Sequence, residues 1–308
     1  MLARLLRVTS LLLLAASIAL ALVLIGIGMP WAIAVVAGAL LPIAFHGVPL
    51  AVEFVFGALS DRRPGARLGL GRAVRLWASE TWRAFVSFTI DQPWRATFAE
   101  PRLLQEASRP AVLLVHGYFC NRAVWRPWLL DSTIGERWNV ATVNLEPPLG
   151  AIDDYVEGLE AAISSLRSAS GSDRVTIVAH SMGGLAVRAY LRARGAARVA
   201  RLITLDTPHQ GTVFARFGQG VNTRQMRRGC EYLRDLGNAD VRVELVCFAS
   251  RDDNLIVPRE AQVLGAAEAV WFDGIGHLAM TADNRVLTKL IEVVERPLSP
   301  NQLINAAA

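Results

Sequence analysis

The chain has 308 residues, enough for one large domain or two small ones, with 53% hydrophobic residues and a mean hydropathy of +0.33, high for a soluble protein. Its net charge of +5 is almost entirely arginine, Lys289 being the single lysine, and the arginines gather around an apolar N-terminus rather than on a face of a folded unit, which argues against a nucleic-acid partner. Cys120, Cys230 and Cys247 are too few for a disulfide framework, although a Cys230–Cys247 bridge stays open, and no His or Cys spacing marks a metal site, so neither a metal nor a cofactor is expected.

Val8 to Met29 is an uncharged apolar run, long enough for about 33 Å of helix at about 1.5 Å per residue. Pro30 breaks it, and a second apolar run, Trp31 to Leu59, is interrupted by Pro42, His46, Gly47, Pro49 and Glu53. The first run is too long for a signal-peptide core. Residues 1–60 are therefore expected to form a membrane anchor, a transmembrane helical hairpin turning near Gly28–Trp31. Arg4 and Arg7 before it, and Arg62, Arg63 and Arg67 after it, place both ends in the cytoplasm. The expectation is a multi-pass protein of an inner (cytoplasmic) membrane with the following domain in the cytoplasm; if the second run does not span, that domain lies on the other side. His46 and Glu53 are expected near the interface or against the neighbouring helix, with a function inside the membrane as the alternative.

Residues 61–109 read as a basic amphipathic linker. Leu70, Val74, Trp77, Thr81, Phe85 and Phe88 recur at helical spacing, while Arg72, Arg75, Glu80 and Arg83 fall largely off that stripe. With Trp77 and Trp82, such a helix suits the headgroup layer; packing its stripe on the following domain is the equal alternative. Pro93, Pro101 and Pro110 punctuate the connection onward.

From Ala111 short apolar runs alternate with helical stretches. Strands are expected at Ala111–Val115, Val140–Leu145, Val175–Ala179, Val199–Leu205, Val241–Ala249 and Ala269–Phe272, with helices at Asp153–Arg167 and Asn284–Glu295. This alternation predicts an α/β fold, a mostly parallel sheet with helices on both faces, over residues 110–296, followed by a tail at 297–308.

Within that pattern, Val175-Thr-Ile-Val-Ala-His-Ser-Met-Gly-Gly184 reads as strand, tight turn and helix start, with Ser181 in the turn between the small residues Ala179 and Gly183. This turn resembles the nucleophile elbow of the α/β-hydrolase fold, and the resemblance implies that Ser181 is a nucleophile whose orienting carboxylate and imidazole base follow it in the chain in that order. His277, in a Gly-rich loop after the last strand, is the base that this order implies; His116 and His180 flank strand ends and are expected to hydrogen-bond backbone near the site, His209 lies too early, and His46 lies in the apolar region. The carboxylate should follow the penultimate strand, where both Asp252 and Asp253 qualify. The backbone N–H groups of Met182 and Tyr118 are the expected oxyanion donors.

The turn resembles the nucleophile elbow of the α/β-hydrolase fold, with Ala179 in place of the first glycine, and A-H-S-M-G-G also occurs in a group of bacterial lipases. Together with His116-Gly-Tyr118, Thr207-Pro-His-Gln-Gly211, the Asp253 loop and Gly274-Ile-Gly-His277, it makes residues 110–296 resemble a bacterial lipase or esterase. The string D-N-L-I-V-P resembles a lipase loop and so points to Asp253 rather than Asp252. The resemblance implies serine-dependent hydrolysis of carboxylic esters through an acyl-enzyme, with an acyl lipid or other apolar ester as substrate and the bilayer as partner. The alternatives are an acyltransferase using the same three residues with an alcohol acceptor, and a non-catalytic binding module. Thr212–Asp240, where a lid would insert, is short and polar, so a minimal lid edged by Phe214, Phe217 and Met226 is expected.

Overall fold

The computed structural model describes residues 1–60, 69–96, 108–237, 243–298 and 303–304. Arg62, Arg63, Arg67, Pro101 and most of the expected tail lie outside the described residues.

The apolar runs become the strands of one sheet. β1 (Ala111–Val115), β2 (Asn139–Val143), β3 (Val175–His180), β4 (Val199–Leu205), β5 (Val243–Ser250) and β6 (Glu268–Phe272) are parallel, in the order β2-β1-β3-β4-β5-β6. Every residue of β1, β3 and β5 is buried, because helices cover both faces and leave no solvent side for alternation to mark. β7 (Leu303–Ile304) adds a short antiparallel pairing to β5, an element absent from the sequence reading. The fold is thus the α/β-hydrolase arrangement that the sequence anticipates. All three cysteines are free, which closes the alternative of a Cys230–Cys247 bridge.

Two core layers flank the sheet. One contains Leu159, Ile163 and Leu166 from the helix Val156–Ser170 and Leu185 and Ala189 from the helix Met182–Arg194. The other contains Trp125, Trp128 and Trp138 with Val286, Leu290 and Val293 from the C-terminal helix Asn284–Glu295.

The N-terminal region forms α1 (Leu2–Gly26) and α2 (Trp31–Ser60), joined by a turn in which Gly28 has φ +91°. α2 runs unbroken through Pro42 and Pro49, although each proline removes a backbone donor. The helices approach closely at Gly38, where a Cβ would lie 2.5 Å from the Ser17 carbonyl oxygen. Among the described residues, the base of the hairpin is the part that docks on the rest of the chain. There, Arg7 donates to the Pro93 carbonyl (2.6 Å), His46 pairs with the Thr89 hydroxyl (3.0 Å) and Trp77 donates to the Gly47 carbonyl (2.7 Å). Beyond it, Leu11, Leu14, Leu22, Ile33, Val36 and Leu40 are all exposed.

α3 (Leu70–Phe85) departs from its expected orientation. It buries Leu76, Glu80, Thr81, Arg83 and Ala84, while Leu70, Val74 and Trp82 point outward. The spacing identifies two faces, but the polar residues Glu80 and Arg83 turn inward because hydrogen-bond partners wait for them there. A π-helical stretch (Val86–Asp91) and a short turn of α-helix (Gln92–Trp94) follow.

Candidate active site

β3 ends at His180, and the next residue, Ser181, is held at φ 54°, ψ −128° before the helix Met182–Arg194 begins. A non-glycine residue in that region is strained by about 1–3 kcal/mol and persists only where its surroundings fix it. Here the Ser181 N–H donates to the Leu205 carbonyl (2.8 Å), and the Thr207 hydroxyl donates to the Ser181 carbonyl (2.9 Å). The flanking small residues are required by space. A Cβ on Gly183 would sit 2.5 Å from the His116 carbonyl oxygen, and one on Gly117 would sit 2.8 Å from the Ser181 Cβ.

The structure brings Ser181, His277 and Asp253 together. Ser181 Oγ lies 2.9 Å from His277 Nε2, and His277 Nδ1 lies 2.8 Å from Asp253 Oδ2. The other Asp253 oxygen accepts the N–H groups of Leu255 (2.6 Å) and Ile256 (2.8 Å), so the carboxylate is fixed at both ends. Asp252 faces elsewhere: its Oδ2 accepts from Arg72 (2.6 Å) and from the Gly274 N–H (2.6 Å), tying α3 to the loop that carries His277. It is buried, in an ion pair with Arg72.

The electrostatics favour an ionised Asp253. Burial opposes its charge, but the His277 imidazole and the backbone donors outweigh burial and hold its pKa below the ordinary carboxylate value. Burial likewise opposes a charged His277, yet Asp253, with Glu80 and Glu53 beyond it, keeps that imidazole above its usual 6.5. Asp206, at the end of β4 with φ 47°, is a third acid that the sequence reading did not single out. Its Oδ2 lies 3.9 Å from His277 Nδ1, and its Oδ1 accepts the Ser250 N–H (2.8 Å). Burial and the neighbouring Asp253 charge push its carboxyl well above the ordinary value, which favours its protonated form beside the ionised Asp253. Asp206, Asp253 and His277 offer one ligand atom each within 4.8 Å. Both imidazole nitrogens are already engaged, so a cation would have to break the Ser–His–Asp relay to bind.

Other histidines take supporting places. His180 Nε2 donates to the His277 carbonyl (3.0 Å), and its ring lies 4.7 Å from that of His277; burial lowers its pKa to about 3. His116 accepts the Leu145 N–H on Nε2 (3.0 Å). His209 is buried against the Thr204 hydroxyl (3.1 Å).

Met182 opens its helix, so its N–H is among those with no intrahelical acceptor. Tyr118 lies in the loop beside Ser181, and its hydroxyl donates to the Gln219 carbonyl (2.9 Å), joining this loop to the insertion after β4. A cavity of about 520 Å³ opens over Ser181 and His277. Phe214, Phe217 and Met226 line it from the insertion, whose helical parts are short turns (Val213–Arg216, Val221–Gln225, Glu231–Gly237). The opposite wall comes from outside the sheet: Phe45, Pro49, Leu50 and Glu53 of α2, Glu80 and Ala84 of α3, and Phe88. Glu53 and His46, polar residues in an otherwise apolar run, were the signals that α2 serves the site, and both line this cavity.

Comparison with known proteins adds sequence and fold relatives. Residues 110–221 match the family model described as the alpha/beta hydrolase fold. A triacylglycerol lipase of Pseudarthrobacter phenanthrenivorans is 40% identical over 65 residues, covering 21% of this chain and 20% of that protein. One of Burkholderia plantarii is also 40% identical over 65 residues, covering 21% and 18%. The chain thus spans about a fifth of the length of these curated relatives. Among solved structures, the mature lipase BlEst2 of Bacillus licheniformis superposes with a TM-score of 0.53 at 16% identity, covering 61% of this chain and 93% of that one. Lipase B of Aspergillus fumigatus gives a TM-score of 0.54 at 16% identity, covering 65% and 56%.

Proposed function

We propose, for a chain with the alpha/beta-hydrolase fold and a lipase-like elbow segment, that it is a serine hydrolase of carboxylic esters that works at a membrane surface on esters with apolar acyl chains. The single observation that carries this reading is the relay Ser181 Oγ–His277 Nε2 (2.9 Å) and His277 Nδ1–Asp253 Oδ2 (2.8 Å), beneath a cavity of about 520 Å³.

In this mechanism Ser181 Oγ attacks the ester carbonyl while its proton passes to His277 Nε2. Asp253 holds the Nδ1–H tautomer and balances the imidazolium. The Met182 and Tyr118 N–H groups receive the negative oxygen of the tetrahedral intermediate. His277 then gives its proton to the departing alkoxide oxygen, leaving Ser181 acylated. A water that loses its proton to His277 attacks the acyl group, and collapse of the second tetrahedral intermediate releases the acid and restores Ser181.

Substrate class follows from the walls. Phe45, Leu50, Phe88, Phe214 and Met226 offer an apolar trough to an acyl chain, with Glu53 and Glu80 as its acidic members. Both α1 and α2 are long and apolar enough to cross a bilayer, and their outward side chains are exposed hydrocarbon. The hairpin is therefore read as the membrane anchor, which sets the cavity beside lipid.

The test uses the full chain in detergent micelles, p-nitrophenyl esters of increasing chain length and a fluorophosphonate probe. Ser181→Ala should lower turnover by at least about 10³-fold and abolish labelling while thermal unfolding is unchanged. Labelling that persists in that variant would remove Ser181 from the nucleophile's place.

A further inference from the structure

Two carboxylates on the N-terminal helices converge on the loop that carries His277. Glu80, on α3, is 1% exposed. Its Oε1 accepts the Leu278 N–H in a short hydrogen bond, and its Oε2 accepts the Ala279 N–H (3.1 Å), so the two residues directly after His277 hang from one side chain. Glu53, on α2, accepts from Asn254 Nδ2 (2.7 Å), and Asn254 Oδ1 in turn accepts the His277 N–H (3.0 Å). The backbone on both sides of the imidazole is thus hung from α2 and α3. Gly276 supplies independent support: its backbone has no left-handed φ, yet a Cβ there would overlap the Glu80 carboxylate. The glycine immediately before His277 makes room for an acid from another helix.

Burying a carboxylate is costly unless its oxygens are satisfied, and Glu80 sits among other charged groups. Around it are Glu53 on α2, His277 and Asp253 on the loops after β6 and β5, Asp206 at the end of β4, and Arg83 on its own helix. A carboxylate needed only to stop a helix end or fill space would not be placed against three other acids. The location makes sense if the loop it holds must be held without slack. A base displaced by about 1 Å loses up to about 10²-fold in rate.

We propose that Glu80 and Glu53 are positioning residues that fix the orientation and basicity of His277, so that the N-terminal helices complete the catalytic centre as well as anchoring it. This rests on the hydrolase reading for its kinetic consequences. The expected behaviour separates the two acids. Glutamine at position 80 keeps the shape but offers one acceptor oxygen to two N–H groups, so one donor is left facing an amide N–H₂. Leucine at position 53 suits an apolar helix and removes both the bond to Asn254 and a carboxylate that acts on His277.

The experiment uses the full chain in micelles, with kcat and KM measured for a p-nitrophenyl ester from pH 5 to 9. Alongside it, ring-carbon-labelled histidine NMR follows the titration of His277, assigned with His277→Asn. Glu80→Gln is expected to lower kcat by about 10- to 100-fold with KM within about twofold, and to move the acid limb and the His277 titration to lower pH. Glu53→Leu is expected to lower kcat by about three- to tenfold with KM again little changed. Wild-type kcat and an unmoved His277 titration in both variants would overturn the proposal, as would a fall in kcat with neither the acid limb nor the resonance displaced. If Glu80→Gln does not fold, Glu53→Leu decides by the same two readouts. Because the NMR titration needs no turnover, it still reports on His277 if the chain hydrolyses no ester, so failure of the hydrolase reading and failure of this one are distinguishable.

Discussion

α3 and the C-terminal helix Asn284–Glu295 are both amphipathic by spacing, yet they use their faces in opposite ways. The C-terminal helix buries Val286, Leu287, Leu290, Val293 and Val294 against the sheet and leaves its polar residues to solvent. α3 buries Glu80 and Arg83, and shows Leu70 (81% exposed) and Trp82 (59% exposed) to the outside. The inward environments explain half of the contrast. Beneath the C-terminal helix lies hydrocarbon, whereas beneath α3 lie the N–H groups of the His277 loop and the Val124 carbonyl, to which Arg83 donates (2.8 Å). The outward environments explain the rest, if the surface that α3 shares with the exposed apolar hairpin meets lipid rather than water, as the proposed function requires. A pattern of spacing reports that two faces differ; it does not report which one meets the protein.

The contrast can be broken most severely at the C-terminal helix. Leu290→Ala should cost about 2–5 kcal/mol in denaturant unfolding, since a fully buried side chain leaves a cavity in the Trp125–Trp128 layer. A loss under 1 kcal/mol would mean that this face is less tightly packed than its burial indicates. A smaller effect sharpens the α3 side. Val74→Ser with Trp82→Ser should leave stability in micelles within about 0.5 kcal/mol. The same pair should lower the rate on long-chain ester in phosphatidylcholine vesicles, relative to a short soluble ester, by about fivefold, the effect of losing about 1 kcal/mol of apolar burial in lipid. An unchanged ratio would deny that α3's outer face touches the bilayer.

The smallest effect concerns another buried acid, Asp206. Glu80 has an N–H donor for each oxygen, whereas Asp206 has one donor, on Oδ1, among the described residues. Its raised pKa means that the folded state keeps a proton which the unfolded chain releases above about 3.9. Stability contributed by this group therefore falls as pH rises from that value through the folded pKa. Asp206→Asn, which still donates toward Asp253, removes this slope. Its melting temperature relative to wild type should climb by a few degrees, about 1 kcal/mol in all, between pH 4 and 8. A difference that stays flat with pH would show that Asp206 is not the protonated member of the pair.

Much of the sheet was legible because buried parallel strands are continuous apolar runs of limited length. β1, β4 and the C-terminal helix begin and end at the residues the sequence suggests, β2, β3 and β6 shift by one or two, and β5 ends one residue later, its expected start at Val241 lying outside the described residues. The proposed site was legible for a different reason: the fold that the serine turn resembles carries its nucleophile, acid and base after β3, β5 and β6 in a fixed chain order, so few residues qualify for each place. Ser181, His277 and Asp253 were reachable in this way, and between Asp252 and Asp253 the fold separates an ion pair with Arg72 from a bond to the imidazole.

Asp206, Glu80 and Asn254 escaped it, and Glu53 stood out in its apolar run without a partner, because their importance lies in contacts between segments far apart in the chain. Asn254 and Glu53 are separated by 201 positions, and Leu278 and Glu80 by 198. By itself the sequence determined the strands, the serine turn and two long apolar helices, since each is written in local spacing, residue size and backbone freedom. Only the tertiary structure decided that α2 and α3 turn acids toward His277 and help wall the cavity. Hydrogen-bond satisfaction and burial, which choose between the faces of a helix, are properties of what the chain packs against.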